Sequence, residues 1–338
     1  MATYKGIKGV KVVTKTADPT ASEAAGTVWY NSTGDALKYS IEGAGAWASG
    51  GNINVGRRSA AYCGTQTAAL IATGVSTPST PAPIGEIDTE TYDGTSWTEQ
   101  ANVNTNRTYT IGVGTTTASL VIGGSNPSTS VGISTVESWN GTSWTASPAS
   151  LNTARKMMSS AQAGTTTAAL IFGGTAVAPS TPALTVTETF NGTAWTELGD
   201  LNSAIQQASG AGISTSALNF GGGQGPPFST ECESWNGTSW TEVADINTAR
   251  LLAGGSGDSN TSALMMGGYA APGVNANVEK WNGTSWTETT NLTTARQSLG
   301  GAGTSTVALA ISGYVTNNIQ NTEEWNDPVY TIKTVTVS

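Results

Sequence analysis

The sequence predicts an all-β protein built from repeated four-stranded antiparallel sheets. Three observations carry this: an internal repeat, a fixed offset between aromatic residues, and one connection of variable length per repeat. The clearest copies are ESWNGTSWTASPASLNTAR at 137–155, ESWNGTSWTEVADINTAR at 233–250 and EKWNGTSWTETTNLTTAR at 279–296. Weaker copies begin at Glu90, Glu188 and Glu323. A recurrence at about 47 residues is the signature of stacked structural units rather than of unrelated domains.

The unit following Arg155 shows the strands in order. KMMSSAQAG, small and weakly apolar, predicts strand a over 157–163; TTTAALIFGG predicts strand b over 167–172. After a Pro/Thr-rich connection, VTETF predicts strand c over 185–190 and AWTEL strand d over 194–198. Asn191-Gly192 links c to d, with counterparts at 140–141, 236–237, 282–283 and Asp93-Gly94. Asn-Gly favours a type I′ hairpin, because both residues tolerate positive φ.

Aromatic residues stand five apart in six units: Tyr92/Trp97, Trp139/Trp144, Phe190/Trp195, Trp235/Trp240, Trp281/Trp286 and Trp325/Tyr330. The next Arg position follows ten or eleven residues later, and the second Gly of strand b a further 17 to 19. Only the stretch from that Gly to the following Glu varies widely, from 16 residues to 10. A rigid strand skeleton with one elastic connection per unit matches sheets arranged around an axis, a β-propeller. Trp47 lies ten residues before Arg57, as a d-strand Trp does. Upstream of it, a b-like strand at 27–31, a turn at 33–35, a c-like strand at 36–41 and an a-like strand at 7–13 suggest another unit. Seven units of about 48 residues consume all 338. A seven-bladed propeller with an irregular first blade is therefore expected, and six blades plus an N-terminal arm is the alternative. Residues 1–50 form the irregular blade or arm, and 51–338 the regular repeats.

Composition narrows the function. The chain carries 42 Gly, 12 Pro and 11 Trp, only 11% charged residues, and a net charge of −9. Trp at fixed offsets argues against disorder. The acidic balance excludes a basic stripe for nucleic acid and disfavours attraction to anionic membranes. No apolar run reaches membrane-spanning length, and the N-terminus lacks the apolar core of a secretory signal. Cys63 and Cys232 make no metal or redox spacing and read as buried small residues.

The Trp set invites a carbohydrate-stacking role, but its regularity fits wedges between neighbouring sheets better. Trp29, outside the pattern, is the one expected to be exposed. Arg57, Arg107, Arg155, Arg250 and Arg296, set against the repeated Glu, predict buried ion pairs distributed around the ring. Ile205 replaces the Arg in the fourth unit. There is no His, which removes the imidazole of hydrolytic triads and of common zinc and copper sites. No enzymatic activity, catalytic residue, cofactor or metal is expected, and calcium is signalled only weakly by scattered oxygens. The elastic b–c connections are 75–85, 125–135, 175–186, 223–230, 269–277 and 315–321. Loops on a rigid scaffold are where binding normally resides. Phe228, Tyr269 and Tyr314 are the candidate binding-face residues.

The order Arg, small-residue strand, strand ending Gly-Gly (123–124, 173–174, 221–222, 267–268), Glu-x-aromatic, turn, Trp resembles the kelch repeat over about residues 50–330. It departs at Ala72-Thr73-Gly74, at Ser312-Gly313 and at Ile205. Kelch-type propellers close their ring with strands from both chain ends, so 331–337 is expected beside N-terminal residues. Galactose-oxidase-like activity, found on kelch propellers, needs histidines this chain lacks. DPTASEAAGTVWYNSTGDALKYSIEGAGAW at 18–47 resembles a short hairpin module of bacteriophage tail and fibre proteins. The low-charge WNGTSWTE units are similar to virion-associated proteins of marine phages. The resemblance implies a non-enzymatic structural or binding component of the virion. It would assemble in the host cytoplasm in multiple copies and contact other virion proteins or a host surface glycan, with no nucleic-acid partner and no membrane insertion. A bacterial adhesin, an intracellular interaction scaffold and, less readily, a carbohydrate-active enzyme are the competing classes.

Overall fold

The computed structural model describes residues 12–19, 27–42, 45–76, 85–176, 182–223, 226–327 and 330–335. Every regular element among them is a β-strand, arranged in eight sheets, seven of them four-stranded. The chain divides into two units: Met1–Ala46 with Asp327–Ser338, and Trp47–Asn326.

Six of the four-stranded sheets belong to the larger unit. The third illustrates the pattern: Ser159–Ser160, Ala169–Phe172, Thr187–Phe190 and Trp195–Glu197 as an antiparallel a–b–c–d meander. The first strands of the six sheets are Ala61–Thr65, Ile111–Gly114, Ser159–Ser160, Ser209–Ile213, Gly254–Ser259 and Gly300–Gly303. Each lies against the first strand of the next sheet, and the last returns to the first. Small residues are required where these strands converge. A Cβ on Gly255 would stand 2.5 Å from the Gly210 carbonyl oxygen of the adjacent sheet.

The arrangement is propeller-like, and hydrogen bonds close it. The amide of Tyr109 donates to the Ser59 carbonyl, Met157 to Tyr109, Gln207 to Met157, Leu252 to Gln207, Ser298 to Leu252, and Ser59 to Ser298, at 2.7–3.4 Å. A second cycle runs outside it. The second residue of each Gly-Gly position (Gly74, Gly124, Gly174, Gly222, Gly268, Gly313) donates to the carbonyl of the next unit's Arg position. The last of these, Gly313, reaches Arg57. Gly124 shows why glycine is needed: φ is +101°, and a Cβ would lie 2.6 Å from the Thr108 carbonyl oxygen.

A seventh member of this set was expected from residues 1–50, and the topology differs. The strand Ala46–Ser49, carrying Trp47, is the fourth strand of the sixth sheet, beside Thr322–Asn326. Trp325 therefore pairs with Trp47 rather than Tyr330; their centroids are 5.3 Å apart. The sixth repeat is not complete by itself, because its outer strand comes from the N-terminal side. Val28–Asn31 and Ala36–Glu42 do form, but in the smaller unit, with Val13–Lys15 parallel to the first and Tyr330–Thr334 antiparallel to the second. C-terminal residues thus lie beside N-terminal ones, outside the six sheets. Residues 7–11 of the expected a-like strand fall outside the described residues.

Packing follows the repeat. The c- and d-strand aromatics face each other directly, as in Trp139↔Trp144 and Trp235↔Trp240. Trp139, Trp144, Trp235, Trp240, Trp281 and Trp286 are all buried. Burial of a Trp covers about 150–250 Å², and these pairs pack with apolar residues of the preceding sheet, as Trp139 and Trp144 do with Cys63 and Leu70. Trp29 is also buried, at 1% exposure, correcting its expected exposure: its indole N–H donates to Asp18 at 3.2 Å. The c–d turns use Asn differently from the expected type I′ geometry. Only the Gly, such as Gly141 at +90°, has positive φ; Asn140 Oδ1 instead accepts the amides of Thr142 and Ser143. Cys63 and Cys232 are buried free thiols that burial pushes up to about 12.

Candidate binding face

The b–c and d–a connections leave the six sheets at the same end, where strand a begins and strand b finishes. The residue two after each Arg position enters strand a in the left-handed region: Ser59, Tyr109, Met157, Gln207, Leu252 and Ser298, all at φ 53–58°. Non-glycine residues adopt this conformation at a cost of roughly 1–2 kcal/mol each. Six of them are held there by the closed cycle of backbone hydrogen bonds. Their side chains surround an axial cavity of about 100 Å³ that also touches Tyr62, Ser160 and Gln162. In the amide orientation that satisfies both groups, Gln162 donates across the axis to the carbonyls of Gly255 (2.7 Å) and Gly301 (3.1 Å).

The three aromatic candidates lie on this side and are half-buried rather than fully exposed. Phe228 and Tyr269 come together, edge to face, with centroids 5.7 Å apart. Tyr314 is engaged elsewhere: the Arg58 guanidinium lies 4.6 Å from its ring centre, and Arg58 also donates to Asn318 at 2.7 Å. Asn318 in turn donates to the carbonyls of Val75 and Ser76, tying the sixth b–c connection to the first. Residues 77–84, 177–181 and 224–225 of the elastic connections lie outside the described residues.

The Arg/Glu set forms five buried pairs: Arg57–Glu90, Arg107–Glu137, Arg155–Glu188, Arg250–Glu279 and Arg296–Glu323, at 2.5–2.9 Å. Each guanidinium joins a d–a connection to the c strand that follows it. Burial pushes the Arg107, Arg155, Arg250 and Arg296 guanidiniums below their usual range, opposed by the paired carboxylates. At Glu137, burial favours the neutral acid. The Asn104 amide and Arg107 outweigh it and hold the carboxyl below its ordinary value.

Sequence reasoning missed a partner in this clasp. Asn104, Asn152, Asn202 and Asn247 each donate a backbone amide and a side-chain amide to the same glutamate oxygen at 2.7–2.9 Å. The signal was present as Asn three residues before the Arg position, hidden among many other Asn. These contacts recur from unit to unit, tying d–a connections to the c strands that follow them. Among the described residues no cluster of three or more His, Cys, Asp or Glu could hold a metal ion, and no helix is long and apolar enough to cross a membrane.

No protein-family model matches the chain, and no curated protein matches it in sequence. Solved structures do match in fold. One, described as the structure of YjhT, superposes with a TM-score of 0.64 at 12% identity, over 83% of this chain and 99% of that one. At that identity the likeness concerns the fold alone, and the fold it supports is propeller-like.

Proposed function

We propose that the chain is a non-enzymatic component of a bacteriophage virion, a six-bladed kelch-type propeller whose b–c face meets a partner. One observation carries the choice of face. Six backbone positions made equivalent by the hydrogen-bonded cycle present chemically different side chains: Ser, Tyr, Met, Gln, Leu and Ser. The opposite end repeats near-identical NGTSW turns. A uniform scaffold with varied side chains at one end suits selective recognition, and strained non-glycine residues concentrate at such sites. The virion assignment rests on the resemblance of 18–47 to phage tail modules and on the WNGTSWTE composition. The partner is another virion protein or a host surface glycan.

Grafting the short 315–321 sequence over 75–85 and 175–186 tests the reading, with thermal denaturation of the graft confirming that the strand skeleton is kept. Adsorption of particles to host cells and particle assembly are then measured. Lost adsorption with normal assembly supports a host contact, and lost assembly supports a virion contact. If both are unchanged, and Phe228→Ala with Tyr269→Ala is equally silent, this face is not the binding face.

A further inference from the structure

At its seam with the fifth sheet, the sixth sheet departs from four of the others; the first seam keeps the asparagine, Asn54, but only its backbone amide reaches Glu90, at 2.7 Å. In four seams an asparagine carboxamide nitrogen bridges the buried glutamate and a tryptophan carbonyl. Asn104 Nδ2, for example, donates to Glu137 Oε2 at 2.8 Å and to the Trp144 carbonyl at 3.0 Å. Asn152, Asn202 and Asn247 repeat both contacts. At the sixth seam Thr293 occupies that position. Its backbone amide still donates to Glu323 Oε2 at 2.7 Å, but it has no carboxamide. Glu323 Oε1 is already occupied by Arg296 and the Thr294 amide.

A cavity of about 380 Å³ opens there, lined by Ser49, Asn52, Thr293, Thr294, Asn321 and Glu323 among others. At the fourth seam, where Asn202 is in place, the corresponding space is about 40 Å³. The larger volume falls within the roughly 300–1,000 Å³ range of small-molecule sites. Its lining is hydroxyl, carboxamide and carboxylate, with no apolar side chain and no cation. An anionic ligand would meet Glu323 and be repelled. A cationic one would find that carboxylate already neutralised by Arg296. What remains matched is a neutral group rich in hydroxyls.

We propose that this seam cavity binds a neutral saccharide unit, one hydroxyl of which donates to Glu323 Oε2 as the asparagine carboxamide does in four other seams. Asn52 and Asn321 supply the mixed donors and acceptors that sugar hydroxyls require. The inference rests on the binding reading above but names a different place, the seam between the fifth and sixth sheets rather than the axial cavity.

Saturation-transfer NMR on the isolated chain tests it, with glucose, galactose, N-acetylglucosamine and glucuronate as probes. At least one neutral sugar should bind, and glucuronate about fivefold more weakly or not at all. Thr293→Asn restores the carboxamide of the other seams. It should weaken sugar binding by about tenfold and raise the thermal midpoint. Asn52→Ala and Asn321→Ala, at exposed positions, should each weaken binding about threefold with the midpoint unchanged. The proposal is overturned if no neutral sugar binds at millimolar concentration, or if binding survives Thr293→Asn and Asn52→Ala together. It is also overturned if acetamide, and no sugar, binds in a Thr293-dependent way, since the cavity then takes a partner's carboxamide. None of these results alters the adsorption and assembly outcomes of the loop graft, so the two readings fail separately.

Discussion

Trp47 and Trp325 pack with ring centroids 5.3 Å apart at 42°, nearly the geometry of Trp139 and Trp144 at 5.3 Å and 39°. The first pair joins the two ends of the six-sheet unit, and the second lies within one repeat. A single aromatic contact thus serves both as ordinary core and as the latch of the ring. Trp47 adds an indole N–H bond to the Thr290 carbonyl at 2.8 Å, anchoring the N-terminal strand to the fifth repeat.

Removing either partner of the latch should therefore destabilise the whole unit rather than one sheet. Trp325 is fully buried, and Trp325→Ala is expected to cost about 3–5 kcal/mol. Trp47 is half-buried, so Trp47→Ala should cost less, about 2–3 kcal/mol. Chemical denaturation provides the measurement. A loss below about 1 kcal/mol for both would mean the ring closes without this pair.

A second relationship concerns the residue before the repeated glutamate of each unit. Trp144 Nε1 donates to Thr89 Oγ1 of the preceding sheet at 2.9 Å, and Trp240 does the same to Thr187. Trp97 donates to Thr322, again across the closure, at 3.2 Å. The third sheet's Trp195 meets Val136 at the equivalent place, and its buried Nε1 has no partner among the described residues. Val136→Thr supplies the missing acceptor. In a double-mutant cycle with Trp195→Phe, the coupling should favour the Thr–Trp pair by about 0.5–1.5 kcal/mol. A coupling near zero would show that the indole is satisfied by other means.

These contacts also show how far the sequence could be read. The strand order, the buried Trp pairs and the Arg–Glu pairs were legible because each recurs at fixed spacing, so one repeat checks the next. Sheet membership at the ends was not. Trp47 stood ten residues before Arg57, the right offset for a d strand, yet offset alone cannot say which c strand it joins. Trp325 offered Tyr330 five residues on, which satisfies the same rule locally. Only the three-dimensional closure distinguishes them. The candidate face was read from loop length, which named Phe228, Tyr269 and Tyr314 separately; only the structure brings the Phe228 and Tyr269 rings together. The six left-handed residues of the axial cycle carry no compositional mark, since Met157 and Leu252 are residues that ordinarily avoid positive φ.

The clasp at Glu137 makes acid stability a readout of the seam. The glutamate is buried, accepts the Asn104 amides, and pairs with Arg107 at 2.5 Å. Its folded carboxyl is held below the ordinary value of 4.5. A depressed acid binds its proton less readily in the folded chain than in the unfolded one. Its contribution is therefore complete above about pH 4.5 and is lost as pH falls through the lowered folded value. Glu137→Gln keeps the shape but cannot ionise, and it leaves Arg107 buried without its counter-charge. At pH 6 the substitution should cost about 3–5 kcal/mol. Below about pH 4.5 the wild-type advantage should shrink, because Glu137 in the unfolded chain takes up its proton before the folded carboxyl does, while the variant follows only the remaining carboxylates. Urea denaturation of both proteins across pH 3–6 checks this. A difference that stays constant over the whole range would mean that the seam carboxylate does not titrate there, and that the acid sensitivity of the ring has another source.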